Sequence, residues 1–172
     1  MNNFSVIFLI SILVFISCNK DDDSVVGDSE FATATVNNAP FVASQDTEEI
    51  RFMRARIRTG NVLDVLARED GTNNDFKNVI FYLSNYQGAG TYKTGLSEDE
   101  PHHIEYSIGS GSYQRYSNSI FQKDIPGFEP GTVVINSDDG NIIKGTFNFV
   151  GYNSGDQTVT VTNGKFQINY EN

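Results

Sequence analysis

From residue 31 to the carboxyl end, apolar and polar residues alternate with a period of two, and this pattern constrains the fold more than any other feature. The alternation is clearest at residues 53–58, 104–108 and 143–149. Successive side chains of a β-strand point to opposite faces, so such segments are typical of strands that bury one face. No segment shows a convincing helical period. The pattern therefore predicts an all-β domain.

Turn-forming residues separate these segments. Asn37-Asn38-Ala39-Pro40 predicts a first hairpin, and Thr59-Gly60-Asn61 predicts a second between residues 53–58 and 62–67. Asp138-Asp139-Gly140 predicts a third, in which Ile135 lies opposite Ile143.

The dipeptide Asn163-Gly164 is typical of a type I′ turn and predicts a carboxyl-terminal hairpin between residues 158–162 and 165–170. We expect Val161 to pair with Phe166 and Val159 with Ile168, all on one face. Together, roughly ten short strands predict an antiparallel β-sandwich over residues 31–172, with a related barrel as the alternative.

The amino terminus predicts export. Residues 4–16 are apolar apart from Ser5 and Ser11. This stretch is too short for a membrane-spanning helix, which needs about 20 residues, and it suits the core of a signal peptide. Ser17 and Cys18 follow, and Lys20, Asp21, Asp22 and Asp23 then begin an acidic segment.

Phe15-Ile16-Ser17-Cys18 resembles the lipobox of bacterial lipoproteins. The resemblance implies that residues 1–17 are a signal peptide, that Cys18 is acylated, and that the chain is anchored in a lipid bilayer. Several acyl chains, at about 0.8 kcal/mol per buried methylene, make such an anchor stable. The alternative is an ordinary signal with an incidental cysteine.

Cys18-Asn19-Lys20-Asp21-Asp22-Asp23 also resembles the acidic surface-export signal of Bacteroidota lipoproteins. That resemblance implies an outer-membrane protein that faces the cell exterior, with residues 18–30 as a lipidated tether. A solvated linker without an export role is the alternative.

The mature domain resembles a family of small Bacteroidota lipoproteins of unknown function. Its matching segments are Thr33-Ala34-Thr35-Val36-Asn37, Phe41-Val42-Ala43, Gly90-Thr91-Tyr92, Gly145-Thr146-Phe147-Asn148-Phe149 and residues 159–166. The resemblance covers most of residues 31–170. It implies a fold and a location, and it implies no activity.

The formal net charge of −10 disfavours nucleic acid as a partner, because an acidic protein repels a phosphate backbone. The simplest interpretation of this net charge is that it keeps the protein soluble. We interpret the row of Arg51, Arg54, Arg56 and Arg58 as a solvated face, rather than as an anion site. Alternating basic residues also protect an edge strand against aggregation. The single cysteine excludes an internal disulfide.

Few residues suit catalysis. His102 and His103 are the two histidines, too few with one cysteine to complete a zinc site. A serine hydrolase would need His103 beside a serine and a carboxylate, and the chain has no Gly-x-Ser-x-Gly motif. We therefore expect no enzymatic activity.

Two oxygen-rich loops, residues 69–75 and 137–141, are candidate calcium sites. Their candidate ligands are Asp70, Asp75, Asp138 and Asp139. Neither loop has EF-hand spacing, and hairpin turns favour the same residues. No other cofactor is predicted.

Six tyrosines in the middle of the chain are candidates for stacking on sugars: Tyr82, Tyr86, Tyr92, Tyr106, Tyr113 and Tyr116. Ordinary strand packing is the alternative. The sequence thus predicts a non-catalytic envelope lipoprotein with an interaction or structural role. A carbohydrate-binding accessory protein of a surface uptake system is the first alternative, and a small hydrolase is the second.

Overall fold

The computed structural model describes residues 29–44, 53–70, 76–99, 101–110, 112–155 and 157–171. These residues form eleven β-strands and a short 3₁₀ helix, Ile120–Gln122. The strands are β1 (Phe31–Val36), β2 (Ala39–Ser44), β3 (Met53–Arg58), β4 (Val62–Asp70), β5 (Phe76–Leu83), β6 (Gly90–Lys93), β7 (His103–Ser110), β8 (Ser112–Asn118), β9 (Thr132–Asp138), β10 (Ile142–Tyr152) and β11 (Thr158–Asn169).

All ladders between these strands are antiparallel, and the sheet is not closed into a barrel. One half has the order β2-β1-β11-β10-β9-β6, and the other has the order β8-β7-β5-β4-β3. Two isolated contacts join the halves: Tyr152 of β10 pairs with Ser117 of β8, and Ala55 of β3 forms a parallel bridge with Tyr170, directly after β11. The predicted all-β, antiparallel class is therefore confirmed.

The two halves face each other across one apolar core. The rings of Phe81 on β5 and Phe166 on β11 lie 5.3 Å apart, and Phe41 on β2 meets the ring of Tyr106 on β7 edge-on at 6.4 Å. These contacts join strands of different halves, so the sheet packs as the predicted sandwich.

The first two predicted hairpins are confirmed. Asn37 and Asn38 both have positive φ angles, 46° and 68°, and connect β1 to β2. Gly60 and Asn61, at 84° and 57°, connect β3 to β4. Asparagine and glycine reach this region of φ at little cost, so the local sequence decides both turns.

The third hairpin forms between β9 and β10, but with a different register. Asp138 already lies opposite Ile143, so Ile135 pairs with Gly145 instead, after the ladder skips Asn136. A Cβ atom at Gly145 would lie 2.2 Å from the carbonyl oxygen of Val134, so a glycine there permits the close approach.

The predicted carboxyl-terminal hairpin is wrong. Residues 158–169 form one continuous strand, and Asn163, with φ of 54°, lies in a β-bulge. Because β11 pairs with β1 on one side and β10 on the other, both ladders hold the strand extended, and the Asn-Gly dipeptide bends it instead of reversing it.

The bulge has a packing consequence. One extra residue shifts the inward-facing positions from odd to even numbers, so that Val159, Val161, Phe166 and Ile168 are all buried. The prediction that these four share a face is correct, although they do not pair with one another.

The domain begins slightly earlier than predicted. Glu30 was assigned to the tether, but it is buried, and its Oε1 accepts a hydrogen bond from the backbone N–H of Asn169 at 2.7 Å. Residues 1–28, with Cys18, Lys20 and the three aspartates, lie outside the described part of the chain. Within that part, no helix combines the length and apolarity needed to span a membrane.

Candidate functional site

An open groove of about 820 Å³ runs along β8, where the two halves of the sandwich meet. One wall consists of β8 residues with His103 of β7, and the other consists of residues 119–125 and 152–154. The groove exists because β9 occupies the edge of β10 over residues 143–148. Beyond this segment of β10, only Tyr152 pairs with β8.

Two exposed aromatic rings mark the groove. Tyr113, near the start of β8, is 55% exposed, and Phe121, in the 3₁₀ helix after β8, is 88% exposed. Residues 113–119 span about 20 Å of extended chain, so the rings are well separated. Isolated exposed rings are common, but two that flank one polar groove are typical of a ligand-binding surface.

A buried carboxylate lies beneath the polar wall of the groove. Glu105 on β7 is 2% exposed, and its Oε2 accepts hydrogen bonds from Nε of Arg115 at 3.2 Å and from a terminal nitrogen of the same guanidinium. Nε2 of His103 lies 3.0 Å from the same oxygen. Burial raises the pKa of Glu105, but the hydrogen bonds with His103 and Arg115 outweigh it and hold this pKa below its ordinary value.

Asn118 holds the far wall in place. Its amide nitrogen donates to the carbonyl oxygens of Glu129, at 2.7 Å, and Val150, at 2.9 Å. Its oxygen accepts from the N–H of Gly131, at 3.0 Å, and from the hydroxyl of Thr94. One fully buried amide thus ties the end of β8 to β10, to the chain after β6 and to the loop that carries Phe121.

The six predicted stacking tyrosines do not form one strip. Tyr86, Tyr92 and Tyr106 are buried in the core, which removes them from the stacking set. Burial above all, with the nearby Glu69 and Tyr116, raises the pKa of Tyr106 to about 12. Tyr116 packs against the core as well.

The remaining two tyrosines lie on outer surfaces. Tyr82 is half-buried, with its ring 5.3 Å from the Arg58 guanidinium, and of the six only Tyr113 lines the groove. Phe121, Arg115 and Asn118 are not predictable from the sequence, because no local pattern distinguishes them from ordinary strand or loop residues.

Asp138 and Asp139 are engaged within the protein. The hydroxyls of Tyr86 and Tyr170 donate to Oδ2 of Asp138, at 2.7 and 2.9 Å, and Gly140 donates to its Oδ1. Oδ1 of Asp139 accepts from the N–H groups of Asn141 and Ile142, at 2.8 Å each. The bonds from Ile142 and Asn141 hold the pKa of Asp139 below its ordinary value.

These carboxylates therefore act as turn and tyrosine partners and do not form an open cation site. Asp75 lies outside the described residues, as does the side chain of Asp70. Within the described ranges, no three His, Cys, Asp or Glu side chains come together to hold a metal.

The hydrolase alternative requires His103 beside a serine and a carboxylate, and the structure meets this requirement in part. His103 has its carboxylate, Glu105, and Ser117 and Ser119 line the same groove. The hydroxyl of Ser119 donates to the side chain of Gln122, and in the described part of the chain no serine is hydrogen-bonded to His103. His102 is buried, with its ring edge-on to Tyr92 at 5.4 Å.

Comparison with known proteins gives one result. No curated protein and no solved structure matches the chain. A family model described as "Domain of unknown function (DUF6252)" matches residues 34–168, which include every strand from β2 to β10, half of β1 and most of β11. The chain therefore belongs to the DUF6252 family.

Proposed function

We propose that this chain is a membrane-anchored, non-catalytic binding domain of the cell envelope, and that the groove beside β8 takes a glycan. The observation that carries this proposal is the pair of exposed rings, Tyr113 and Phe121, in one groove with polar walls. Sugar rings have apolar faces that stack on aromatic side chains, and hydroxyls that need hydrogen-bonding partners at the ring edges.

The polar side chains of the groove suit this ligand class. Gln114, Ser117, Gln122 and Asn153 offer amide and hydroxyl groups, which can both donate and accept hydrogen bonds, as sugar hydroxyls do. The groove is long and open, which fits an extended oligosaccharide better than a small molecule that requires enclosure.

The anchor belongs to the same proposal. Acylation at Cys18 would hold the domain at the outer membrane, and the acidic residues after it would direct the domain to the cell exterior. A surface glycan-binding protein needs this placement, because polysaccharides outside the cell cannot cross the membrane unaided.

The experiment is a thermal melt of the purified full chain with a panel of neutral and acidic polysaccharides. A ligand at 100 times its Kd adds about 2.7 kcal/mol of stability, which raises Tm by about 5–10 °C in a domain of this size. A panel that leaves Tm unchanged would refute glycan binding and favour an envelope protein as the partner.

Variants locate the site. Tyr113→Ala and Phe121→Ala should each weaken binding by about fivefold, since an aromatic contact contributes about 1 kcal/mol. Val42→Ala is the matched control, because Val42 is also exposed but lies on β2, in the other half of the sandwich. Equal losses in all three variants would place binding elsewhere.

The contact between His103 and Glu105 favours a second candidate, a small hydrolase. We expect no turnover of an ester and glycoside panel by the wild-type chain. Turnover that His103→Ala abolishes, with an unchanged Tm, would instead establish the hydrolase.

The anchor has a separate test in cells. Cys18→Ala should abolish fatty-acid labelling and release the protein from the membrane fraction, whereas Ser17→Ala keeps a small residue before the cysteine and should preserve both. Labelling that persists in Cys18→Ala would refute the anchor. Protease added to intact cells should degrade the domain only if it faces the exterior.

A further inference from the structure

The arginines of this acidic protein are gathered on one surface. The chain has six arginines, and the five in the described ranges, Arg54, Arg56, Arg58, Arg68 and Arg115, all lie on the outer face of the half formed by β3, β4, β5, β7 and β8. We call this surface the arginine face.

The strand register establishes this placement. Arg68 pairs with Asn78, Asn78 with Ser107, and Ser107 with Arg115, so one row crosses four strands with an arginine at each end. Four strands span about 14 Å. The next row on this face contains Arg54, Leu66, Ile80 and Glu105, and the row after it contains Arg56, Asp64, Tyr82 and His103.

The arginines exceed the carboxylates on this face. Asp64 and Glu105 lie among them, so five positive charges against two negative ones leave a surplus of three. This count covers the side chains that the structure describes. The whole chain has a net charge of −10, so this face has the opposite sign.

The two carboxylates orient the guanidinium groups. Asp64 is fully buried, and its Oδ2 accepts from Nε of Arg56 at 2.8 Å and from Nε of Arg58 at 2.7 Å. Glu105 holds Arg115 in the same manner. A guanidinium has five N–H donors.

Donors remain for a ligand. Within the described ranges, Arg56 uses only its Nε, so its terminal nitrogens are available, and Arg115 keeps one terminal nitrogen. The side chain of Arg115 is 55% exposed, and those of Arg56 and Arg58 are about two-fifths exposed. Guanidinium groups held in place in this way lose little freedom when they bind an anion.

The arginine face and the groove are continuous. Arg115 and His103 belong to both, and a second depression, lined by Arg56 and Arg58, lies about four strand spacings from β8, or about 19 Å. A ligand that contacts both ends must therefore be extended.

We infer that the glycan taken by the groove is acidic, and that its carboxylate or sulfate groups bind the arginine face through Arg115. This inference rests on the proposed glycan function. The sequence alone favours a solvated arginine row over an anion site, and this inference replaces that interpretation. The arginines have more positive charge and more N–H donors than the two carboxylates neutralise and bind. The overall charge of −10 favours a glycan over nucleic acid, because it opposes a polymer with a charge about every 1.7 Å.

The first test compares a polyuronate with its fully methyl-esterified form, which has the same sugar backbone without the charges. The purified wild-type chain should bind the acid at least tenfold more tightly than the ester, since each charged hydrogen bond is worth tenfold or more. Binding of the acid should also weaken as salt increases.

Variants complete the test. Arg115→Gln should weaken binding of the acid by about tenfold to a hundredfold and weaken binding of the ester much less, so that the preference for the acid falls. Lys165→Gln, which removes one exposed charge from β11 in the other half, is the matched control and should change neither. If Arg115→Gln fails to fold, the comparison of acid and ester with the wild-type chain still decides the inference.

The outcomes separate the two proposals. Equal affinity for acid and ester, or binding of neutral glycans only, would overturn the acidic ligand and leave glycan binding intact. Tighter binding of a single-stranded oligonucleotide than of the polyuronate would overturn the assignment to a glycan. Failure of every polysaccharide would overturn the proposed function itself.

Discussion

Replacement of Asn118 by alanine should be among the most destabilising changes at the groove. The substitution removes an amide whose four hydrogen bonds are all made inside the protein. It leaves the N–H of Gly131 and the carbonyl oxygens of Glu129 and Val150 without this partner. A buried polar group that loses its partner costs about 1–3 kcal/mol.

With the hydroxyl of Thr94, four groups lose this partner. We expect a total loss of about 3–5 kcal/mol, because partial relaxation and entry of water reduce the full sum. Domains of this kind are stable by about 5–15 kcal/mol, so the variant should still fold but melt at a much lower temperature. Urea denaturation of the full chain measures the effect as a lower midpoint with an unchanged slope.

Asn148→Ala provides the control, since Asn148 is exposed on β10 and should change stability by less than about 0.5 kcal/mol. A loss below about 1 kcal/mol in Asn118→Ala would refute the reasoning. It would mean that water or neighbouring groups satisfy the freed partners, and that the amide does not hold the wall of the groove.

Three further predictions concern pH, close packing and the bulge. The pKa of Glu105 is lowered in the folded state, so the ionised carboxylate stabilises the fold at pH values above the ordinary pKa of glutamate. This stabilisation is lost as the pH falls through the pKa of Glu105 in the folded protein. Glu105→Gln should therefore flatten the acid side of a profile of unfolding free energy against pH, measured by urea denaturation. Gly145→Ala should cost about 2 kcal/mol, because its Cβ would meet the carbonyl oxygen of Val134, whereas Gly155→Ala, with no atom closer than 3.6 Å, should be nearly neutral in the same urea assay. Asn163→Val should lower Tm by an amount that corresponds to about 1–2 kcal/mol, because a β-branched residue resists its φ of 54°, and Asn163→Gly should not; equal effects would contradict the bulge.

Local features were predictable where a few adjacent residues decide the conformation. The turns at Asn37-Asn38 and Gly60-Asn61 need positive φ angles, and the residues that tolerate them stand at those positions. The alternation that defines β3, β7 and β10 also follows from the chain alone, because a strand with one buried face needs a period of two.

Asn163-Gly164 shows the limit of this reasoning. The dipeptide supplies a left-handed conformation, which serves a tight turn and a bulge equally well. The choice depends on whether a strand pairs on both sides, and β1, more than a hundred residues away in sequence, is the partner that holds β11 extended.

The sequence by itself determined the class of fold, most strand positions and the resemblances from which we propose export and anchoring, because each depends on residues adjacent in the chain. Only the tertiary structure decided the candidate site. The pairing of β5 with β7 aligns Arg115 of β8 with Arg68 of β4, and the pair of Tyr152 with Ser117 places β10 beside β8 at the groove. Those contacts join strands far apart in sequence, and local alternation shows which face of a strand is buried but not which strand lies beside it.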